Sequence, residues 1–129
     1  LFKNDRVMTL TPWQRICLCF AAFCGLSGVA LAALTAHLPE RFFIAGGRPM
    51  TERAIDMQMW HAVLLCALAL YGAPRFRWIA ASFAIGLMLF CIPVYALALR
   101  GPNFAIVAPT GGTLVMLSWL ALMIAALRR

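Results

Sequence analysis

The chain has 129 residues, of which 64% are hydrophobic and 12% charged, with a mean hydropathy of +0.91. Soluble domains run to about 45–50% apolar and about 25% charged, so a soluble globule is excluded, as are disordered, collagen-like and coiled-coil chains. The net charge of +7 comes from arginines set singly or in pairs at the ends of apolar runs, the placement of helix anchors in a membrane. A nucleic-acid surface needs them clustered on one solvated face, so no nucleic-acid partner is expected.

Residues 1–12 read as a polar arm carrying Lys3, Asp5 and Arg6, and residues 13–129 as a single domain of four transmembrane helices. Thr11-Pro12 marks the first helix start, with Thr11 as N-cap and Pro12 at the first helical position. The first span, residues 16–36, is free of charge and long enough to cross a hydrocarbon core of ~30 Å. Arg15 and the Ala30-Leu31-Ala32 triplet imitate a signal peptide, but the apolar run exceeds an h-region of ~7–15 residues, so it reads as a retained helix. Next comes the longest connection, His37 to Arg53, whose Phe42-Phe43-Ile44 segment suits the membrane interface. Thr51 is the expected N-cap of the second span, residues 54–71. A tight basic turn over Gly72 to Arg77 leads to the third span, residues 78–99, which Pro93 is expected to kink. Arg100 to Asn103 turns the chain into the fourth span, residues 104–127.

Short connections make neighbouring helices antiparallel, so the expected fold is an all-α integral membrane four-helix bundle. Lys3, Arg6, Arg15, Arg75, Arg77, Arg128 and Arg129 fall on one side, against Arg41, Arg48, Arg53 and Arg100 on the other. The positive-inside bias therefore puts both termini in the cytoplasm. Cys24, Gly28, Ala32 and Ala36 recur every fourth residue and form a small-residue stripe for helix packing; Gly111, Gly112, Ser118, Ala121 and Ala125 make a looser one. Cys17, Cys19, Cys24, Cys66 and Cys91 lie in apolar runs without a C-x-x-C pair and read as packing residues, with no disulfide expected.

Ionisable groups inside spans mark where chemistry would sit. His37 closes the first span, His61 is placed about two turns into the second, and Asp56 lies near that helix's start. The two histidines, at similar depth on adjacent helices, are candidates for the axial ligands of a b-type haem; otherwise each bonds a neighbouring carbonyl. Asp56 and His61 are five apart and do not share a face well, so no metal site is expected. Carboxylate pairs, a Ser-His-Asp set, a phosphate loop and a dinucleotide fingerprint are absent, and no catalytic residue is assigned. Tyr95 is expected to bond a backbone group freed by Pro93, and Trp13, Trp60, Trp78 and Trp119 to sit at interfaces or helix contacts.

Four ordered motifs then carry a resemblance. Leu31-Ala32-Ala33-Leu34-Thr35-Ala36-His37, Met57-Gln58-Met59-Trp60-His61-Ala62, Phe90 with Tyr95-Ala96-Leu97-Ala98-Leu99, and Ala108-Pro109-Thr110-Gly111-Gly112 resemble the YgdD-like small membrane proteins, domain of unknown function family 423. The resemblance covers about residues 16–127. It implies four transmembrane helices, places His37, His61, Tyr95, Pro109, Gly111 and Gly112 on family motif positions, and implies no reaction. The family's Gly-Ala-Phe-Gly-Ala-His reads Ala32-Ala33-Leu34-Thr35-Ala36-His37 here, and its Phe-Ser-Gly-Ser-x-Tyr reads Phe90-Cys91-Ile92-Pro93-Val94-Tyr95, as in a divergent member.

The expected function is non-enzymatic: an accessory or structural subunit of a larger inner-membrane complex of the respiratory oxidoreductase type, with other membrane subunits and lipids as partners and no cofactor. The rivals are a carrier of a lipid or small hydrophobic molecule, and a haem-holding redox subunit using His37 and His61.

Overall fold

The structure is a computed structural model that describes residues 9–128. Its described residues form four long helices and no strand: α1 (Pro12–His37), α2 (Gly47–Tyr71), α3 (Arg77–Ala98) and α4 (Ala108–Leu127). Single-turn 3-10 segments at Glu40–Phe42, Pro74–Phe76 and Ala105–Val107 join them. Each helix is long and apolar enough to cross a membrane, and the protein is an all-α integral membrane protein. The arm expected over residues 1–12 falls mostly outside the described residues.

The helix starts follow local chemistry. Thr11 is the N-cap of α1, and Gln14 reaches back so that its Oε1 accepts from the Thr11 N–H at 2.9 Å and from Thr11 Oγ1 at 2.8 Å. The second helix corrects the sequence reading. It starts at Gly47 and not at Ala54, after Gly46 turns the chain with φ +73°, a conformation that glycine adopts without Cβ strain. Thr51, expected as the cap, is therefore inside the helix, buried, with Oγ1 donating to Gly47 O at 2.9 Å. The long connection shrinks to residues 38–46. Within it Phe43 is 1% exposed, so only Phe42 faces outward from the segment expected to lie at the interface.

Arg48 explains why α2 starts so early. Its guanidinium donates to Thr35 O and, at 2.7 Å, to Leu38 O, satisfying carbonyls that the end of α1 leaves open. It also pairs with Glu40 at 3.0 Å and lies over the Phe43 ring at 4.7 Å. The same end is stitched to α3 by Ile44 N–H to Ala98 O at 3.0 Å and Arg100 Nε to Arg41 O at 3.0 Å. At the opposite end Gln14 Nε2 donates to Ala69 O at 2.6 Å, tying the start of α1 to the end of α2.

The bundle is not a square of four equivalent helices. The principal packing pairs are α1 with α2, α2 with α3, and α3 with α4, so α2 and α3 hold the centre and α1 and α4 flank it. Leu65, Leu68, Phe76, Ala80 and Phe83 form the main core, joined by Ala21 from α1 and Val115 from α4. Backbone approach sets the flanking contacts. Gly28 lies against Met59 and Gln58, and Gly111 lies against the backbone of α3, where a Cβ would meet Leu89 C at 2.6 Å and Gly86 O at 2.7 Å. Pro93 lies within α3, which runs through it unbroken; its missing N–H leaves Leu89 O without a helical donor at the turn Gly111 covers.

The small-residue stripe of α1 divides. Cys24 and Gly28 are buried, whereas Ala32 and Ala36 are exposed, because the contact line continues through Thr35. Gly111 and Gly112 divide likewise, since a Cβ on Gly112 would meet only Phe90 Cδ2, at 3.7 Å. Gly111→Ala is therefore expected to destabilise the bundle by about 1–3 kcal/mol, because backbone cannot yield to an added methyl. Gly112→Ala is expected to leave stability unchanged or slightly raised; denaturant titration in detergent followed by circular dichroism separates the two.

Candidate functional site

Two polar junctions in the membrane interior are centred on α2. The first is Gln58, buried at 6% exposure among three helices. Its Nε2 donates to Cys24 O at 2.7 Å and Ser27 Oγ at 2.9 Å on α1, and its Oε1 accepts from Tyr95 Oη at 2.8 Å on α3. Ser27 Oγ passes its own proton to Phe23 O at 2.8 Å. Both amide protons and the amide oxygen are used, so the junction is closed without water. Tyr95, expected to bond backbone freed by Pro93, is committed to Gln58 instead, because its long side chain crosses to α2. In the sequence Gln58 stands out only as part of the Met57-Gln58-Met59-Trp60-His61-Ala62 motif. Its signal was an uncharged amide amid apolar residues at helical spacing, a group that lipid cannot satisfy.

The second junction is His61, buried at 5% exposure and flanked by Phe83 at 5.7 Å and Trp119 at 6.1 Å between ring centroids. Nδ1–H donates to Met57 O at 2.7 Å, and Nε2 accepts from Trp119 Nε1–H at 3.2 Å on α4, which fits the neutral Nδ1-protonated imidazole. Trp119 is thus a helix contact on its inner edge although about half exposed, while Trp60 and Trp78 are more fully exposed. A third link joins α3 to α4 through Ser82 and Ser118, with Ser118 Oγ also near Leu114 O at 2.7 Å.

The two histidines are not brought together. His37 is exposed at the end of α1, and the early start of α2 puts His61 about four turns into that helix, deeper than the two turns read from sequence. Neither ring nitrogen of His61 is free to ligate iron while these bonds stand. Asp56 is exposed, five residues before His61, and among the described residues no three His, Cys, Asp or Glu side chains converge as metal ligands. The cysteines are all free thiols, with Cys24 and Cys91 buried in the packing around Ala62 and Leu87.

Between α1 and α3 runs an apolar groove of about 320 Å³, walled by Trp13, Cys17, Phe20, Ala84 and Met88, with Arg77 at its mouth. Of the packing residues expected from sequence, Gly28, Cys24, Pro93 and Gly111 lie in helix contacts, whereas Pro109 belongs to the exposed first turn of α4.

A family of proteins of unknown function, DUF423, matches this chain over residues 31–112, which include Gln58, His61, Tyr95 and Gly111. The chain belongs to the DUF423 family. A relative called UPF0382 membrane protein, from Haemophilus influenzae, is 34% identical over 109 residues, covering 81% of this chain and 88% of its own. The UPF0382 inner membrane protein YgdD of Escherichia coli strain K12 is 30% identical over 120 residues, covering 89% of this chain and 92% of its own. No solved structure matches. DUF423 membership agrees with the four membrane-crossing helices and leaves the biochemical role open.

Tyr95→Phe removes the hydroxyl that donates to Gln58 Oε1 while keeping the ring. It is expected to cost about 0.6 kcal/mol and at most about 1.7 kcal/mol, the average and the upper limit for an interhelical hydrogen bond in a membrane protein. Equilibrium unfolding in mixed micelles checks this, and an unchanged midpoint would show that the bond contributes nothing.

Proposed function

We propose that this protein is a non-catalytic structural subunit of a larger inner-membrane assembly, of the respiratory oxidoreductase type, which it joins by lateral helix packing. The observation that carries the reading is the outer face of α1. Ala22, Ala32 and Ala36 are exposed on the face that also holds Gly25, around which an added Cβ would meet nothing within 4 Å. Without a hydrophobic drive between helices in lipid, small residues of this kind are where another backbone approaches closely. The interior polar groups support it from the other side, because Gln58, His61 and Ser118 spend their bonding capacity on holding their own bundle together.

A second reading, a binder of a lipid or small hydrophobic molecule, is favoured by the groove between α1 and α3 with Arg77 at its mouth. Arg15, Arg75, Arg77 and Arg128 lie at that end of the bundle, with no acidic residue beside them among the described residues. This bias supports the reading in which that end, with both termini, faces the cytoplasm.

Gly25→Leu is expected to cut recovery of companion subunits several-fold in mild-detergent purification followed by mass spectrometry, while helicity and insertion are kept. Gly28→Leu is not a substitute, since Gly28 packs inside the bundle against Gln58 and Met59. A wild-type protein that purifies without a stoichiometric companion overturns the subunit reading and moves the lipid reading ahead. A reporter active only outside the cytoplasm, fused after the last residue, is expected to be silent; activity there overturns the orientation.

A further inference from the structure

The exposed side of α2 carries charge at a depth where the other three helices carry none. Contact partners fix that depth three times. Gln58 and Met59 meet α1 at Cys24 and Gly28, Ala54 meets α3 at Cys91, and His61 meets α4 at Trp119. Stepping back along α2 from these points puts Asp56 level with about Gly28, Leu89 and Leu114. All three are near the middle of the uncharged runs Ile16–Ala36, Trp78–Leu99 and Phe104–Leu127. The uncharged part of α2, Met57 to Tyr71, is only about 15 residues or roughly 22 Å long, short of a ~30 Å hydrocarbon core.

Asp56 does not point into the bundle. Arg53, Asp56, Trp60, Val63 and Leu70 recur at helical spacing along one exposed stripe, opposite the buried face that holds Gln58, Leu65 and Ala69. A cleft of about 380 Å³ opens beside this stripe toward α4, bounded by Arg53, Asp56, Trp60 and Trp119 with His61 on its inner wall. Neither Arg53 nor Asp56 forms an ion pair within the described chain, where the pair present is Arg48 with Glu40. Bare lipid is a poor solvent for both charges, and charged residues in spans are held by a partner charge or a polar cavity.

We propose that this face of α2 is the contact between two copies of this chain, closed by two symmetric Arg53–Asp56 pairs. The stripe carries both signs of charge: Arg53 and Asp56 lie one helical turn apart and can pair across a two-fold axis, while Glu52, also exposed and in line with Leu70, lies on the same side nearer the helix start. Two copies side by side in a membrane share the same orientation, so a two-fold axis along the membrane normal brings Arg53 of each to within about 4.5 Å in height of Asp56 of the other. A guanidinium stem spans that offset and binds a carboxylate with two parallel hydrogen bonds. Trp60, 77% exposed in the single chain, then packs beside the paired charges and screens them from lipid. This contact uses α2 and is independent of the α1 face assigned to other subunits.

The test is self-association of the purified full chain in lipid nanodiscs and mild detergent, read by energy transfer between labelled copies and by mass. Wild type is expected to dimerise. Asp56→Arg and Arg53→Asp each put like charges across the axis and are expected to weaken dimerisation at least tenfold. Mixing the two variants restores opposite charges and is expected to return heterodimers to near wild-type strength, a rescue that misfolded chains cannot give. Asp56→Asn, which keeps the shape, is expected to fall between. A wild-type monomer, an Asp56→Arg variant that dimerises as well as wild type, or a mixture no stronger than its components overturns the proposal. A monomer that retains a stoichiometric lipid or a different polypeptide overturns it in favour of that occupant.

Discussion

Gln58 is the point at which the bundle is made specific. In water the apolar faces of helices drive them together, but in lipid the acyl chains are as apolar as leucine and that drive vanishes. What remains is backbone approach and hydrogen bonding between helices. A primary amide has two donors and one acceptor carbonyl, and here each goes to a neighbour: Cys24 O and Ser27 on α1, Tyr95 on α3. One side chain thereby sets the register of three helices. Sliding either neighbour by a residue would strand an amide proton or a carbonyl oxygen where water does not reach.

The other contacts take their meaning from that register. With α1 and α2 aligned at Cys24 and Gln58, Gly28 comes against Met59 and the end of α1 comes level with Arg48, which completes its open carbonyls. With α3 held by Tyr95, Gly111 of α4 seats on the backbone beside Phe90, and Ser82 and Ser118 bond across the same pair of helices. His61 adds the remaining link, from α2 to α4 through Trp119. The result is a chain whose membrane interior is polar in a few places, each closed on itself. Its distinctive features toward the membrane are therefore on its outer faces: small residues on α1, a groove beside Arg77, and charge on α2.

The sequence by itself determined the class of the protein and most of its outline. Three uncharged runs of spanning length and a fourth apolar run interrupted by Asp56, separated by Gly-, Pro- and Arg-bearing turns, admit little besides four antiparallel membrane helices, because every backbone polar group in lipid must be bonded within a helix. Thr11-Pro12 was legible as a helix start because N-capping is a local chemical event among neighbours in sequence. The motifs carrying His61, Tyr95 and Gly111 were enough to place the family, which follows from residue order alone.

The tertiary structure decided which of those residues act and on what. The start of α2 moved to Gly47 because Arg48 is needed at the far end of another helix, a requirement invisible to any window along the chain. Thr51 consequently became an interior residue and His61 sank about two turns deeper, out of level with His37. The stripe Cys24, Gly28, Ala32 and Ala36 split between a buried half and an exposed half, since spacing of four does not keep pace with a contact line that passes through Thr35. Tyr95 and Gln58 lie far apart in sequence and meet only once α2 and α3 are packed. Periodicity assigns a residue to a face of its own helix, but only the packing of helices says what that face meets, and that is where the roles of Gln58, His61 and Asp56 were set.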